Sequence, residues 1–256
     1  MTQFFDHEGF ELAFLDREPQ QGAGDPILLI HGFASSHIVN WVSPGWVKTL
    51  TEAGYRAIAF DHRGHGLSTK SYDPADYTPE KMAGDAAALL DHLGIERAHV
   101  MGYSMGARVS AFLALAEPDK VATLVFGGLG HGMVDGVGDW DPIAEALLAP
   151  DPDQITHPRA KTFRTFADQT KSDRAALAAC IETSRTLLSE AELGRIMQPT
   201  LVAVGTRDDI GGSAQKLAAI MPNAEAFDIE GRDHMLAVGD RTFKARVLEF
   251  LQDNPL

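Results

Sequence analysis

A single cysteine, Cys180, in 256 residues excludes an intramolecular disulfide and any paired-cysteine metal site. Its expected role is that of a small buried hydrophobe. Basic residues are also scarce. Lys and Arg number 22 against 36 Asp and Glu, a formal charge of −14, and they are scattered, so no positive track exists for a phosphate backbone and nucleic acid is excluded as a partner. No apolar run approaches the ~18 residues of a membrane span. Met1 to Glu11 lacks the basic segment and apolar core of a signal peptide, and the expected location is cytoplasmic. There is no H-E-x-x-H spacing, and Asp61, His62 and His65 alone make no ligand set, so no metal is expected. Gly127-Gly128-Leu129-Gly130-His131-Gly132 departs from G-x-G-x-x-G. It reads as a flexible hinge, not a dinucleotide loop, and no cofactor is expected.

What is present is an alternation. Ile27–Ile30, Arg56–Phe60, His99–Met101, Val121–Phe126 and Thr200–Val204 are short, continuous apolar runs, as strands covered on both faces should be. Helical patterns separate them: Pro44–Ala53, Pro79–Leu93, Ala107–Glu117, Ser213–Met221 and Arg241–Gln252. Gln3–Asp6 and Phe10–Arg17 flank a His7-Glu8-Gly9 turn and read as an antiparallel hairpin. The expected fold class is α/β, a mostly parallel doubly wound sheet with reactive groups at the carboxyl ends of its strands.

From Gly127 to about Arg195 the alternation stops. A glycine-rich loop is followed by helical patterns at Arg159–Thr170, Asp173–Leu187 and Ser189–Ile196, the last opened by a Ser189/Glu192 capping box. The organisation expected is a core of residues 1–130 and 195–256 with a helical cap inserted at 131–194. Phe163, Phe166, Leu177, Leu187 and Leu188 are expected to cover an apolar pocket, and Lys161, Arg164 and Lys171 to face water with Asp168.

Gly102-Tyr103-Ser104-Met105-Gly106 joins a buried strand to a helix. The G-x-S-x-G spacing suits a sharp, strained turn with no room for a β-carbon at its flanks, which pushes Ser104 Oγ outward. A serine hydroxyl needs a base, and of ten histidines His234 is favoured because it follows the strand-like Ala226–Ile229. His62, His65, His92 and His99 read as packing or solvated residues, and His31 as structural. The orienting acid should follow Thr200–Val204, where Asp208 is preferred over Asp209, with Asp135 and Asp139 weaker still. Oxyanion donors are expected from the peptide N–H groups of Phe33, in His31-Gly32-Phe33, and of Met105 at the first turn of the helix.

His31-Gly32-Phe33, the Asp61–Ser68 loop, the elbow, Asp208 and His234, in that order, resemble the α/β-hydrolase fold family in its serine-nucleophile, esterase- and lipase-like branch. The resemblance implies a Ser104, His234, Asp208 triad and the hydrolysis of a small-molecule carboxylic ester through an acyl-enzyme. A serine at the elbow argues against the haloalkane dehalogenase and epoxide hydrolase branches. An enol-lactonase, a carbon–carbon bond hydrolase or a perhydrolase would keep the same triad. From another class, a ligand-binding receptor with slow turnover would do so too.

Overall fold

The computed structural model describes residues 2–136 and 138–256. Among these, eight strands form one sheet: β1 Gln3–His7, β2 Phe10–Arg17, β3 Pro26–Ile30, β4 Arg56–Phe60, β5 Ala98–Tyr103, β6 Val121–Gly127, β7 Thr200–Gly205 and β8 Ala224–Ile229. Their order is β1-β2-β4-β3-β5-β6-β7-β8. β1, β2 and β4 pair antiparallel, and every other neighbouring pair is parallel. The hairpin turn uses Glu8 and Gly9, both with positive φ, which matches the twist of the strands it joins.

Residue alternation along each central strand divides the interior in two. Leu28, Ile30, Ile58, Phe60, Val100, Leu124, Phe126 and Val202 pack on one face of the sheet. Ile27, Leu29, Ala57, Ala59, Met101, Val125, Leu201 and Ala203 pack on the other. Helices α2 (Pro79–His92) and α3 (Met105–Ala116) cover the first face, and α1 (Trp46–Glu52) and α10 (Arg241–Asp253) the second. Burial on both faces is why these strands read as unbroken apolar runs. α2 starts as its sequence dictates, with Pro79 in its first turn and Thr78 capping the Lys81 amide.

Five α-helices lie between β6 and β7 among the described residues: α4 Gly132–Asp135, α5 Asp141–Leu148, α6 Pro158–Gln169, α7 Arg174–Thr183 and α8 Glu190–Leu193. The Ser189/Glu192 capping box forms. α5 replaces what the sequence suggested was loop. A short helix Ala214–Ala218, α9, follows β7.

Two expectations about this region are corrected. The glycine segment after β6 is no loose hinge. Gly128 N–H bonds Ala203 O at 2.8 Å, Gly130 N–H bonds Gly211 O at 2.7 Å and His131 N–H bonds Ser213 O at 2.9 Å. A Cβ at Gly128 would come within 2.7 Å of the Tyr103 ring, and one at Gly130 within 2.5 Å of Ser213 O. The glycines permit close packing. Arg164, expected to face water, is 4% exposed. Its Nη1 donates to the carbonyls of Ala146 and Ala149 at the end of α5, both at 2.7 Å, and its Nε to Asp168. An unpredicted helix end supplied acceptors that no periodicity could reveal. Lys161 and Lys171 are exposed as expected.

Candidate active site

Ser104 sits between β5 and α3 with φ 55° and ψ −114°, a strained conformation for a residue with a Cβ. Close approach explains the flanking glycines. A Cβ at Gly102 would lie 2.2 Å from Gly106 O, and one at Gly106 would lie 2.0 Å from Ile30 O. The elbow is wedged against β3, and its side chain points out of the turn.

His234 follows β8, and its Nε2 stands 3.0 Å from Ser104 Oγ. Its Nδ1 is 2.8 Å from Asp208 Oδ2. The other Asp208 oxygen accepts the amides of Ile210 and Gly211, both at 2.8 Å. Burial alone would raise the Asp208 pKa, but the His234 ring and those two amides outweigh it and hold the carboxyl below the usual range. An ionised carboxylate can only accept, so Nδ1 carries the proton and Nε2 presents a lone pair to the serine hydroxyl. Asp209 is directed elsewhere, toward Arg159 at 3.6 Å, and its side chain is 81% exposed. Asp135 pairs with His131, and Asp139 caps the Asp141 amide.

The Phe33 peptide has its own support. His31 Nε2 accepts the His62 amide at 3.1 Å, so its proton lies on Nδ1, which donates to Gly32 O at 2.7 Å. In a trans peptide the N–H points opposite the carbonyl, and pinning Gly32 O toward His31 therefore turns the Phe33 N–H the other way. Phe33, Ser104 and Met105 line one cavity. No hydrogen bond joins the Phe33 or Met105 amide to another described residue. Two N–H groups beside a nucleophile are the equipment for holding an oxyanion.

Two cavities meet at Ser104. The larger, about 370 Å³, is lined by residues including Leu129, Trp140, Ile181 and Ile210 together with Arg108 and Arg185. The smaller, about 160 Å³, takes in Tyr103, Val39, Phe163, Phe166, Met235 and His234. Of the side chains expected to cover a pocket, Phe163, Phe166 and Leu187 line these cavities. Leu177 and Leu188 pack into the core instead.

A family model described as alpha/beta hydrolase fold matches residues 25–177. The chain belongs to that family. The match contains the elbow and the Phe33 loop, while Asp208 and His234 lie beyond it. A protein named as carbamate hydrolase RutD, from Caulobacter segnis, is 26% identical over 257 residues, covering 90% of this chain and 92% of that one. Non-heme chloroperoxidase CPO-A1 of Kitasatospora aureofaciens is 29% identical, over 95% and 97% of the two chains. Of the epoxide hydrolases from Siraitia grosvenorii that it matches, the alignment spans 32% of the length. The crystal structure of a hydrolase from Pseudomonas aeruginosa PA01 superposes with a TM-score of 0.80 at 25% identity, over 98% of each chain.

Sequence reasoning missed two groups around this α/β-hydrolase's site. Tyr103, inside the elbow motif, donates its hydroxyl to the His234 carbonyl at 2.6 Å and ties the histidine loop to β5. Asn40, in a π-helical turn at Ile38–Val42, accepts the Gly32 amide at 3.0 Å and lines the smaller cavity. Only the tyrosine, a polar side chain in a buried strand, carried a signal in the sequence.

His31, His62 and His65, near Ser104 but outside its hydrogen-bonded relay, are buried, and burial lowers the pKa of each. Burial first, then the neighbouring rings of His62 and His65, drive the His31 pKa well below its ordinary value. Burial lowers His65 to about 4. An unfolded histidine titrates near 6.5, so between these values the unfolded chain binds more protons and stability falls as pH drops. The stabilisation is complete above about pH 6.5 and, for His65, is lost progressively down to about 4. His65 alone contributes on the order of 2 kcal/mol of destabilisation between pH 7.5 and 5. Urea midpoints at the two pH values should show the loss, and equal midpoints would rule out neutral buried histidines.

Proposed function

We propose that this α/β-hydrolase cleaves carboxylic esters of small, largely apolar substrates through an acyl-enzyme on Ser104. One observation carries the reading: the continuous hydrogen-bonded relay from Ser104 Oγ through His234 to Asp208, set where two mainly apolar cavities join. Ser104 Oγ attacks the ester carbonyl as His234 Nε2 takes its proton, and Asp208 holds the resulting imidazolium. The Phe33 and Met105 amides receive the oxyanion. The collapsing intermediate expels the alcohol, protonated by His234. Water then attacks the acyl-enzyme with His234 as base, releasing the acid and restoring Ser104. Residues 131–194 serve as the cap over a core of 1–130 and 195–256, and Trp140, Phe163 and Leu187 on the cap's side select the substrate.

A fluorophosphonate probe tests the assignment. It should label Ser104 and no other residue, and His234→Ala should abolish the labelling. Labelling elsewhere, or undiminished labelling in the variant, would overturn the roles. Steady-state hydrolysis of short 4-nitrophenyl esters separates an enzyme from a receptor, which would bind them without turnover.

A further inference from the structure

The charges around the larger cavity are unbalanced. Arg108 lies on α3 four residues beyond Ser104, one helical turn or about 6 Å along the axis. It is 5% exposed and lines the cavity. Its guanidinium donates, among the described residues, only to carbonyls: Thr186 O at 2.8 Å, Met133 O at 3.2 Å and Gly132 O at 3.3 Å. Among the described residues no carboxylate lies within ion-pair distance of it. Arg185 lines the same cavity. Its nearest carboxylate is Asp141 at 3.9 Å, with a side chain 85% exposed, a pairing worth little in water. Burial first, then the charge of Arg185, lower the Arg108 pKa to about 10, so Arg108 remains cationic at neutral pH.

A buried cation without a counter-ion is costly; Arg108 is one, and the half-buried Arg185 shares its wall in a chain of formal charge −14. Ser184, 2% exposed, lines the same cavity. Its hydroxyl bonds no nitrogen or oxygen, and its neighbour is the Cys180 thiol. Asp135 also lines the cavity, but its side chain is 66% exposed and held by His131 at 2.7 Å. The rest of the lining toward Ser104 is apolar: Phe33, Leu129, Trp140, Ile181 and Ile210.

On the hydrolytic reading His234 protonates the departing alcohol, and because it lines only the smaller cavity that reading assigns the alcohol there and the acyl group to the larger. We propose that the larger cavity is an acyl subsite for a chain ending in a carboxylate, received by Arg108 and Arg185, so that the preferred substrates are monoesters of aliphatic dicarboxylic acids. This rests on the hydrolytic reading above and deepens it. Guanidinium groups suit the role because their donors match both oxygens of a carboxylate. The apolar stretch before them fits the intervening methylenes.

The test compares mono-(4-nitrophenyl) adipate with 4-nitrophenyl hexanoate, which share acyl length and leaving group. The wild-type protein should favour the acid at least about tenfold in kcat/KM, and added salt should shrink that ratio. Arg185→Gln spares the Arg108 clamp on the carbonyls and should reduce the ratio at least about fivefold; Arg108→Lys should reduce it too. Both readouts are ratios on one protein, which a general loss of activity leaves unmoved. A wild-type preference for the hexanoate, or a ratio unchanged in both variants, overturns the proposal. Calorimetric titration of Ser104→Ala with monomethyl adipate and methyl hexanoate reads the subsite without turnover. Tighter binding of the acid sustains it even if neither ester is hydrolysed, in which case the hydrolytic reading alone fails. Equal or weaker binding of the acid removes it.

Discussion

Ser104→Ala lowers kcat toward a 4-nitrophenyl ester by on the order of 10⁵-fold or more, with KM little changed. The size follows from covalency. Without the hydroxyl no acyl-enzyme forms, His234 has no proton to take, and what remains is binding plus two oxyanion donors acting on water. KM holds because methyl and hydroxymethyl side chains present the same walls to the substrate. Retention of more than about a hundredth of the activity would place the nucleophile elsewhere. Stability moves separately from activity. The strain at φ 55° and ψ −114° persists in alanine, which also carries a Cβ, but glycine relieves it. Ser104→Gly should therefore be as inactive as the alanine variant yet more stable by about 1 kcal/mol, once the entropy lost on ordering a glycine is subtracted. Equal urea midpoints for the two variants would mean that the elbow stores no strain.

The same strain explains why the elbow was so readable. Gly102 and Gly106 are demanded by backbone contacts within a few residues or with the adjoining strand, so local sequence reports them. The parallel strands were legible because burial on both faces leaves continuous apolar runs. His234 and Asp208 could be chosen by position after strands, and it is Asp208 whose carboxylate hydrogen-bonds His234, while Asp209 turns toward Arg159. Side chains whose partners are backbone carbonyls of other elements were illegible. Arg108 sits at the end of the first turn of α3 and meets carbonyls of residues 132, 133 and 186, and Arg164 meets the end of α5. For both, helical periodicity gives a direction but no partner. α5 itself, Asp141–Leu148, is short and follows a run of glycines, which masked it.

Asp208→Asn lowers kcat by about 10⁴-fold while leaving the protein folded. The argument turns on which way the new amide faces. In the native protein Asp208 Oδ1 accepts two backbone N–H groups, from Ile210 and Gly211, and an amide nitrogen there would confront two donors. Asparagine therefore keeps its oxygen on those amides and aims its NH₂ at His234 Nδ1, 2.8 Å away in the native arrangement. A donor at that position needs Nδ1 as an acceptor, so the imidazole proton moves to Nε2. The ring then offers Ser104 an N–H where it needs a lone pair, and the base is in the wrong tautomer although no atom has moved far. Asp209→Asn should change kcat less than about twofold, because that side chain is exposed and turned toward Arg159. Steady-state kinetics on both variants, with circular dichroism to verify folding, decide the matter. Inactivation by the change at 209 and not at 208 would reverse the assignment of the orienting acid. Comparable activity in both would show that His234 needs no carboxylate to act as base.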